Sequence, residues 1–198
     1  MLLTYKGDKK VIWIFHPQSV IPLWKELEYY KGFQKELKDH LGEEKAEEVI
    51  RESLYLISVG TNDFLENYYS IPKRSSQYSI EEYQKLLVGI AEYFIEELYE
   101  AGARKISIAG LPPMGCLPLE RTKNFMFGNE CVKEYNHVAL DFNLKLQDLV
   151  LQMNQKLLGI QLVFSNPYDI LWDIIHNPAS FGKQAYNYLI MIENAFDV

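Results

Sequence analysis

The alternation of short apolar runs with long amphipathic runs is the feature that most constrains this fold. Residues 54–59, 105–109 and 161–164 are short apolar runs with the length of buried strands. Between them, at 79–101 and 132–157, apolar residues recur every three or four positions, which is typical of helices. Strands that alternate with helices predict right-handed crossovers and a parallel sheet that helices cover on both faces.

Other helices are predicted outside this alternation. Residues 23–41 and the charged segment 43–51 precede the first strand, and residues 168–175 follow the third. Ser79 stands three residues before Glu82, a capping-box pattern that marks the start of a helix. In parallel sheets of this type, chemistry takes place in the loops after the carboxyl ends of the strands. Those loops are expected at residues 60–63 and 110–116.

Composition and charge limit the function classes. A chain of 198 residues with 48% hydrophobic residues fits one domain or slightly more and can build a core. The net charge is −7, and the 20 basic residues are scattered among 27 acidic ones, so we expect no nucleic-acid partner. No run of 18 apolar residues exists, so we expect no membrane span. The histidines and carboxylates lack metal-ligand spacing, and no metal or cofactor is expected.

The amino-terminal residues and the cysteines indicate in which cellular compartment the protein is found. Residues 11–15 are the longest apolar run near the start, shorter than the roughly seven to fifteen residues of a secretory signal, so no signal peptide is predicted. The two cysteines, Cys116 and Cys131, form either one bridge or two buried thiols. A bridge would close a loop of about 15 residues, which stabilises a protein by about 3 kcal/mol in the chain-entropy model.

The tetrapeptide Gly60-Thr61-Asn62-Asp63 is the candidate site in the first loop. Glycine lets the chain turn at a strand end without a Cβ clash. The Asn62 side chain has two N–H donors, which can stabilise an oxyanion without adding charge. Asp63 can hold that amide or cap the next segment. Glycine, asparagine and aspartate are also common turn residues, so a plain turn remains the alternative.

Several longer stretches, in this order along the chain, resemble plant GDSL esterases/lipases. They are residues 19–30, 53–64, 102–118, 131–136, 141–143 and 166–169. The resemblance therefore spans roughly residues 19–182. These enzymes are SGNH hydrolases, and the resemblance implies a flavodoxin-like three-layer α/β/α sandwich with a parallel sheet. It also implies hydrolysis of carboxylic (acyl or lipid) esters through an acyl-serine intermediate. The expected partner is a small acyl ester.

The resemblance assigns roles to the tetrapeptide. The Gly-x-Asn-Asp block of the family matches residues 60–63, so Asn62 is expected to donate its amide to the oxyanion, with Gly60 and Asp63 in support. The family is typically secreted. Neither an oligomeric state nor an acyl-chain preference follows from the sequence.

The other blocks of the family are not matched. Its nucleophile lies in a Gly-Asp-Ser motif, and the most similar string here is Gly7-Asp8-Lys9, in which lysine replaces the serine. The base and its orienting acid come from an Asp-x-x-His-Pro block. Asp173 and His176 imitate this block with one extra residue before the proline, in a stretch that resembles a different part of the family. A histidine at the end of a helix is the simpler interpretation of His176.

These mismatches give the domain organisation that we expect. Residues 1–18 form a divergent segment, residues 19–182 an incomplete GDSL esterase/lipase domain, and residues 183–198 a divergent tail. Two hypotheses about function follow. In the first, the chain is a catalytically incomplete member of the family without activity, either a folded remnant or an unstable truncated product. In the second, it is an active serine esterase that uses an unrecognised nucleophile together with Asp173 and His176.

Overall fold

The structure is a computed structural model, and it describes residues 21–182 apart from Asn129. In chain order its helices and strands are α1 (Leu23–Leu41), α2 (Glu43–Glu52), β1 (Leu54–Ser58), α3 (Pro72–Gln77), α4 (Ile80–Glu100), β2 (Lys105–Ala109), α5 (Pro118–Lys123), α6 (Lys133–Lys156), β3 (Gln161–Ser165) and α7 (Pro167–His176). A π-helical segment, Asp63–Tyr69, follows β1, and short 3₁₀ turns lie at Met114–Cys116, Phe125–Phe127 and Pro178–Phe181. The predicted alternation of strands and helices is confirmed.

The three strands form one parallel sheet in the order β1-β2-β3. Leu56 of β1 stands beside Ser107 of β2, which stands beside Val163 of β3. Because each strand pairs with the next one along the chain, every connection between them is a crossover that contains a helix. The parallel sheet and the α/β sandwich expected from the sequence are confirmed for the described residues, in incomplete form.

The side chains on the two faces of the sheet differ in how far they are buried. On one face, Ile57, Ile106, Ile108 and Leu162 are almost fully buried. On the other face, the exposed fractions are 63% for Leu54, 76% for Leu56 and 53% for Val163. Within the described residues, the sandwich is therefore incomplete on this face of the sheet. The continuous apolar run of residues 54–57 is typical of a strand that is buried on both faces, so the sequence pattern did not predict this exposure.

The long crossover helix α4 follows from local sequence signals. The Ser79 hydroxyl accepts a hydrogen bond from the Glu82 backbone N–H at 3.3 Å, and the Glu82 carboxylate accepts one from the Ser79 N–H at 2.8 Å. This reciprocal pair is the predicted capping box, and it satisfies N–H groups that a helix start leaves without partners. The buried face of α4 consists of Tyr83, Gln84, Leu87, Ile90, Ala91, Phe94, Ile95 and Leu98.

The chain divides into two compact units. Of the described residues, the first unit contains 21–109 together with Lys145–Ser165, and thus β1, β2 and β3. The second contains Gly110–Leu144 and residues 166–182. Among the helices of the described residues, none has both the length and the apolar character that crossing a membrane requires.

Candidate functional site

The tetrapeptide at residues 60–63 lies directly after the carboxyl end of β1, as predicted. Gly60 has a φ of +110°, a backbone conformation that favours glycine because a side chain would clash there. The chain then enters a helical turn, in which the Phe64 backbone N–H donates to the Gly60 carbonyl at 3.1 Å. Gly60 therefore makes the sharp change from strand to helix that presents the next residues at the edge of the sheet.

Asn62 lies in the first part of this helical turn, with φ −69° and ψ −29°. Its side chain is exposed and does not cap the following π-helical segment. Within the part of the chain that the structure describes, its amide makes no hydrogen bond. Both N–H donors of Asn62 are thus available to an acceptor outside the described chain, at the edge of the sheet where chemistry is expected.

Buried neighbours hold the tetrapeptide in place. Asp63 and Phe64 are fully buried, and the Tyr83 hydroxyl of α4 donates to the Asp63 carbonyl at 3.3 Å. The Phe64 and Tyr83 rings meet edge to face, with centroids 5.9 Å apart. Burial of its ring, with a further contribution from the negative charge of Asp63, raises the pKa of Tyr83 above its ordinary value. Asp63 and Phe64 thus anchor the tetrapeptide in the core, whereas the Asn62 side chain is exposed.

The π-helical segment after the tetrapeptide contains an unusual buried amide. π-Helical turns are rare, and they often occur at functional sites. Within this one, Asn67 is fully buried, and neither its Nδ2 nor its Oδ1 has a hydrogen-bond partner. Buried side-chain amides are normally paired. Sequence reasoning gave Asn67 no role, since a buried asparagine in a helix cannot be distinguished from an exposed one by its type.

The second predicted loop, residues 110–116, is mostly buried and is clamped by a side chain from α6. Asn143 accepts a hydrogen bond from the Leu111 N–H at 2.6 Å with Oδ1 and donates one from Nδ2 to the Leu111 carbonyl at 2.9 Å. A single amide thus satisfies both polar groups of one buried peptide residue. The clamp fixes the start of this loop on α6.

A second clamp holds the end of the same loop. Asn136 of α6 accepts from the Gly115 N–H at 2.8 Å, and its Nδ2 lies 3.3 Å from Cys116 Sγ. A Cβ on Gly115 would lie 2.0 Å from the Val132 carbonyl oxygen, so no larger residue fits there. Cys116 and Cys131 form a disulfide. Of the two alternatives left open by the sequence, the single bridge is confirmed.

Sequence reasoning missed the two clamping asparagines, although both lie in stretches that resemble the family. Asn136 and Asn143 are seven residues apart and therefore lie on one side of α6, the side that buries Ala139 and Leu146. A polar residue on an otherwise apolar helix face is the signal that could have found them, because such a residue needs a buried partner.

Asp173 and His176 both lie on α7 and are exposed. His176 Nδ1 lies 2.8 Å from the Trp172 carbonyl oxygen, one turn back in the same helix, and its ring stacks on the Trp172 ring at 3.9 Å. A catalytic histidine is oriented by a carboxylate through this nitrogen. In the described structure, Nδ1 of His176 meets a backbone oxygen instead, as expected for a residue at a helix end.

A cavity of about 410 Å³ lies elsewhere in the first unit. It is lined by Gln34, Lys38, Glu47, Ile50, Arg51, Glu100, Ala101, Gly102 and Arg104. The last of these residues directly precedes β2, so the cavity is near the amino ends of the strands, away from the tetrapeptide. The cationic side chains that line the cavity have partners: Lys38 contacts Glu43 and Glu47, Arg51 contacts Glu52, and Arg104 donates to two backbone carbonyls.

The described residues include no cluster of three histidine, cysteine, aspartate or glutamate side chains suited to a metal ion.

The segments described above are similar to those of known proteins. Residues 23–190 match the family GDSL-like Lipase/Acylhydrolase. The chain is 59% identical over 164 residues to the Arabidopsis thaliana protein GDSL esterase/lipase At4g26790, covering 83% of this chain and 47% of that protein. It is 57% identical over 164 residues to GDSL esterase/lipase At2g04570 (83% and 47%) and 54% identical over 166 residues to GDSL esterase/lipase At2g42990 (84% and 47%), both also from Arabidopsis thaliana.

The chain spans about half the length of the curated relatives that it matches. The resemblance predicted from the motifs is confirmed across most of the chain. The match includes the tetrapeptide after β1, the loop clamped by Asn136 and Asn143, and both cysteines. The protein therefore belongs to the GDSL-like lipase/acylhydrolase family.

Proposed function

We propose that this chain contributes the oxyanion donor Asn62 to a site that hydrolyses carboxylic esters of small acyl substrates. The observation that carries the proposal is the exposed, unpaired amide of Asn62 at the carboxyl end of β1. Ester hydrolysis passes through a tetrahedral intermediate whose oxygen is negatively charged. A neutral N–H donor that is held in place before the reaction stabilises that oxygen without reorganisation.

The geometry around Asn62 supports this role. Gly60 turns the chain, and the buried Asp63 and Phe64 anchor it on α4, so the Asn62 backbone is fixed while its amide faces solvent. Donors that need no rearrangement contribute most when they are rigidly supported. Loss of one oxyanion donor typically costs about 2.7–4 kcal/mol of transition-state stabilisation.

The described chain does not supply the other catalytic groups of such a site. No Gly-Asp-Ser motif occurs in the sequence, and His176 is paired with a backbone carbonyl rather than with Asp173. An oxyanion donor without a nucleophile gives only residual catalysis. The chain by itself is therefore expected to be inactive, and hydrolysis requires a serine and a base from other polypeptide.

The disulfide supports an oxidising location for the protein. Cys116 and Cys131 are bridged, and structural disulfides persist mainly in secreted or extracellular proteins. The proposal therefore includes a secreted, extracellular site of action. Detection of two free thiols in protein isolated from its native source would contradict this part of it.

The first experiment tests whether the 198-residue chain lacks a nucleophile. The chain is treated with a serine-directed fluorophosphonate and, separately, with p-nitrophenyl butyrate. We expect no covalent label and no burst of p-nitrophenol. Labelling of any residue, or turnover that Asp173→Asn or His176→Gln abolishes, would support the active-esterase hypothesis instead.

The second experiment tests Asn62. In a chimera, the 198-residue chain replaces the matched region of the 59% identical Arabidopsis relative, so that the rest of that relative is present. If the chimera hydrolyses p-nitrophenyl butyrate, Asn62→Ala is expected to lower kcat by about 10²–10³-fold with a small change in KM. Asn177→Ala, at another exposed asparagine, is the matched control and should leave kcat unchanged. Equal effects of the two substitutions would exclude the oxyanion role.

A further inference from the structure

The loop between Cys116 and Cys131 exposes two large apolar side chains to solvent. The disulfide between these cysteines closes the loop, and the 3₁₀ turn Phe125–Phe127 lies inside it. Phe125 is 70% exposed and Met126 is 80% exposed. Exposed apolar side chains that occur singly are normal, whereas contiguous ones mark sites that contact a protein or a membrane. The two side chains, Phe125 and Met126, are called the apolar turn below.

Hydrogen bonds on both sides hold the apolar turn in this conformation. Before it, the Asn124 backbone N–H donates to the Glu120 carbonyl at 3.1 Å. After it, Gly128 has a φ of +73°, and its N–H donates to the Phe125 carbonyl at 3.2 Å. The Asn124 side chain spans the turn and donates to the Glu130 carbonyl at 3.0 Å. The turn is therefore ordered before it meets a partner, which lowers the entropic cost of binding.

The size of the apolar turn suits a lipid surface better than a protein. A stable protein interface buries about 800 Å² on each partner and uses about 20–30 residues from each. Two side chains on one turn cannot provide such an area. A lipid surface needs no fixed complementary shape, and aromatic side chains are enriched where the apolar and polar regions of a membrane meet.

The charges near the apolar turn favour lipid without net charge. Residues 118–130 contain two basic residues, Arg121 and Lys123, and two acidic ones, Glu120 and Glu130, so their formal charges cancel. Lys123 is in an ion pair with Glu120 at 2.9 Å. Attraction to anionic lipid requires clustered basic residues, and the whole chain has a net charge of −7. We therefore expect the lipid to be zwitterionic.

We propose that the apolar turn inserts into the surface of zwitterionic lipid aggregates and attaches the protein to them. Full burial of one such side chain raises the partition coefficient by about 10–150-fold. Two side chains therefore give weak, reversible attachment, as a single acyl chain does. This inference goes beyond the proposed function, because it concerns attachment to a lipid surface and does not depend on the role of Asn62.

Sedimentation with phosphatidylcholine vesicles tests the proposal on the 198-residue chain. The double variant Phe125→Ser/Met126→Ser is expected to lower the partition coefficient at least tenfold. Leu151→Ser/Leu158→Ser is the matched control, at two exposed leucines outside the loop, and should lower it less than twofold. Because all four side chains are exposed, both variants should retain the wild-type circular dichroism spectrum. Equal losses in the two variants, or no binding by the wild-type chain, would overturn the proposal.

A fluorescent label reports insertion directly. Both native cysteines are in the disulfide, so Met126→Cys introduces one reactive thiol, and Leu158→Cys is the control. Each variant is labelled with the polarity-sensitive dye NBD and mixed with the same vesicles. We expect a blue shift and a several-fold rise in emission at 126, with neither at 158. An unchanged spectrum at 126 would contradict insertion, as would binding that increases when phosphatidylglycerol makes the vesicles anionic.

Maleimide labelling of Met126→Cys without lipid tests the other possible occupants. Protection that increases with the concentration of the chain would show that a second copy covers the apolar turn. Protection in the chimera with the Arabidopsis relative would show that the remaining polypeptide covers it. Either result would overturn the lipid proposal, whereas rapid labelling in both proteins is expected.

Soluble substrate separates this inference from the proposed function. Phe125→Ser/Met126→Ser in the chimera should leave the hydrolysis of soluble p-nitrophenyl butyrate unchanged, since the apolar turn takes no part in the chemistry. Vesicle binding by a chimera that does not hydrolyse the ester would support lipid attachment and count against the proposed function. Ester hydrolysis by a chimera that does not bind vesicles would do the reverse.

Discussion

At the scale of single residues, two buried asparagines show that burial of an amide has opposite consequences in different surroundings. Asn143 is 4% exposed and satisfies both the N–H and the carbonyl of Leu111. Asn67 is fully buried, and its amide has no hydrogen-bond partner. Burying an amide removes its hydrogen bonds to water, which costs free energy when no partner in the protein replaces them. When such partners exist, their hydrogen bonds offset that cost. The same substitution at the two positions should therefore shift stability in opposite directions.

Asn67→Leu is expected to stabilise the chain. Leucine is nearly the size of asparagine and has no polar atoms, so the unfavourable desolvation of the unpaired amide is removed. We expect an increase of about 1–2 kcal/mol in the free energy of unfolding. Urea denaturation followed by far-UV circular dichroism measures it. A lower denaturation midpoint would mean that this amide has a partner in solution.

Asn143→Leu is expected to destabilise the chain. It leaves the N–H and the carbonyl of Leu111 buried without partners, and each such group costs about 1–3 kcal/mol. We expect a decrease of about 2–4 kcal/mol in the free energy of unfolding, measured in the same denaturation series. Asn124→Leu is the control, since its amide donates to the Glu130 carbonyl at an exposed site and should change stability little. Equal losses at 124 and 143 would contradict the clamp.

Tyr83 gives the stability of the chain a dependence on alkaline pH. Its folded pKa is raised by burial, whereas in the unfolded chain the phenol titrates near 10. Above that pH the unfolded state loses the proton and the folded state keeps it, so the unfolded state is stabilised. Below pH 10, titration of Tyr83 therefore does not change the free energy of unfolding. Above pH 10 the free energy of unfolding falls by up to about 1.4 kcal/mol per pH unit.

Tyr83→Phe is expected to reduce this alkaline slope. Thermal or urea denaturation between pH 8 and about pH 11.5 measures the slope for the wild-type chain and the variant. Tyr29→Phe, at an exposed tyrosine, is the matched comparison, and the slope of Tyr83→Phe is expected to be the smaller of the two. Tyr83→Phe also removes the hydrogen bond to the Asp63 carbonyl. That loss changes the stability equally at every pH, so the slope of stability against pH still reports on the titration of Tyr83. Identical slopes in the two variants would exclude Tyr83 as the source.

At the scale of elements, local sequence signals predicted the helices and strands well. The apolar runs located β1 and β2, and the capping box at Ser79 located the start of α4. These signals are strong because they depend on neighbours in the sequence. The position of the tetrapeptide after β1 was also predictable, because a glycine at the end of an apolar run favours a turn there, whereas its catalytic role stays a prediction.

Features that depend on distant residues were not predictable in the same way. The clamp between Leu111 and Asn143 joins positions 32 residues apart, and no local pattern marks the pairing. The open sheet face is equally invisible, because Leu54 and Leu56 have the composition of a strand that is covered on both faces. The pairing of the cysteines remained open for the same reason. Burial and partners are properties of the folded chain, not of a short segment.

At the scale of the whole molecule, the candidate site and the exposed face of the sheet depend on the same strand. β1 ends at the tetrapeptide that carries Asn62, and its side chains Leu54 and Leu56 are exposed on one face of the sheet. The candidate oxyanion donor and two of the exposed apolar side chains thus belong to, or directly follow, one strand at the edge of the described sheet.

The open strip predicts that the isolated chain binds the apolar dye ANS while it is natively folded. The open strip consists of Leu54, Leu56 and Val163, which are at least half exposed on one face of the sheet. Replacing two of them with lysine, in the variant Leu56→Lys/Val163→Lys, is expected to lower ANS fluorescence several-fold, because charged side chains disfavour the apolar dye. Leu151→Lys/Leu158→Lys, at two exposed leucines outside the strip, is the matched control and should keep the wild-type fluorescence.

The near-UV circular dichroism spectrum distinguishes this surface from a loosely folded state, which also binds ANS. A molten globule loses its near-UV signal, whereas a native chain with one exposed face keeps it. The aromatic cluster of Phe64, Tyr68, Tyr78 and Tyr83 should give such a signal if it is rigidly packed. Strong ANS binding together with a retained near-UV spectrum, reduced only by the strip variant, is the expected result. Binding that both double variants reduce equally, or a missing near-UV signal, would contradict a folded chain with one open sheet face.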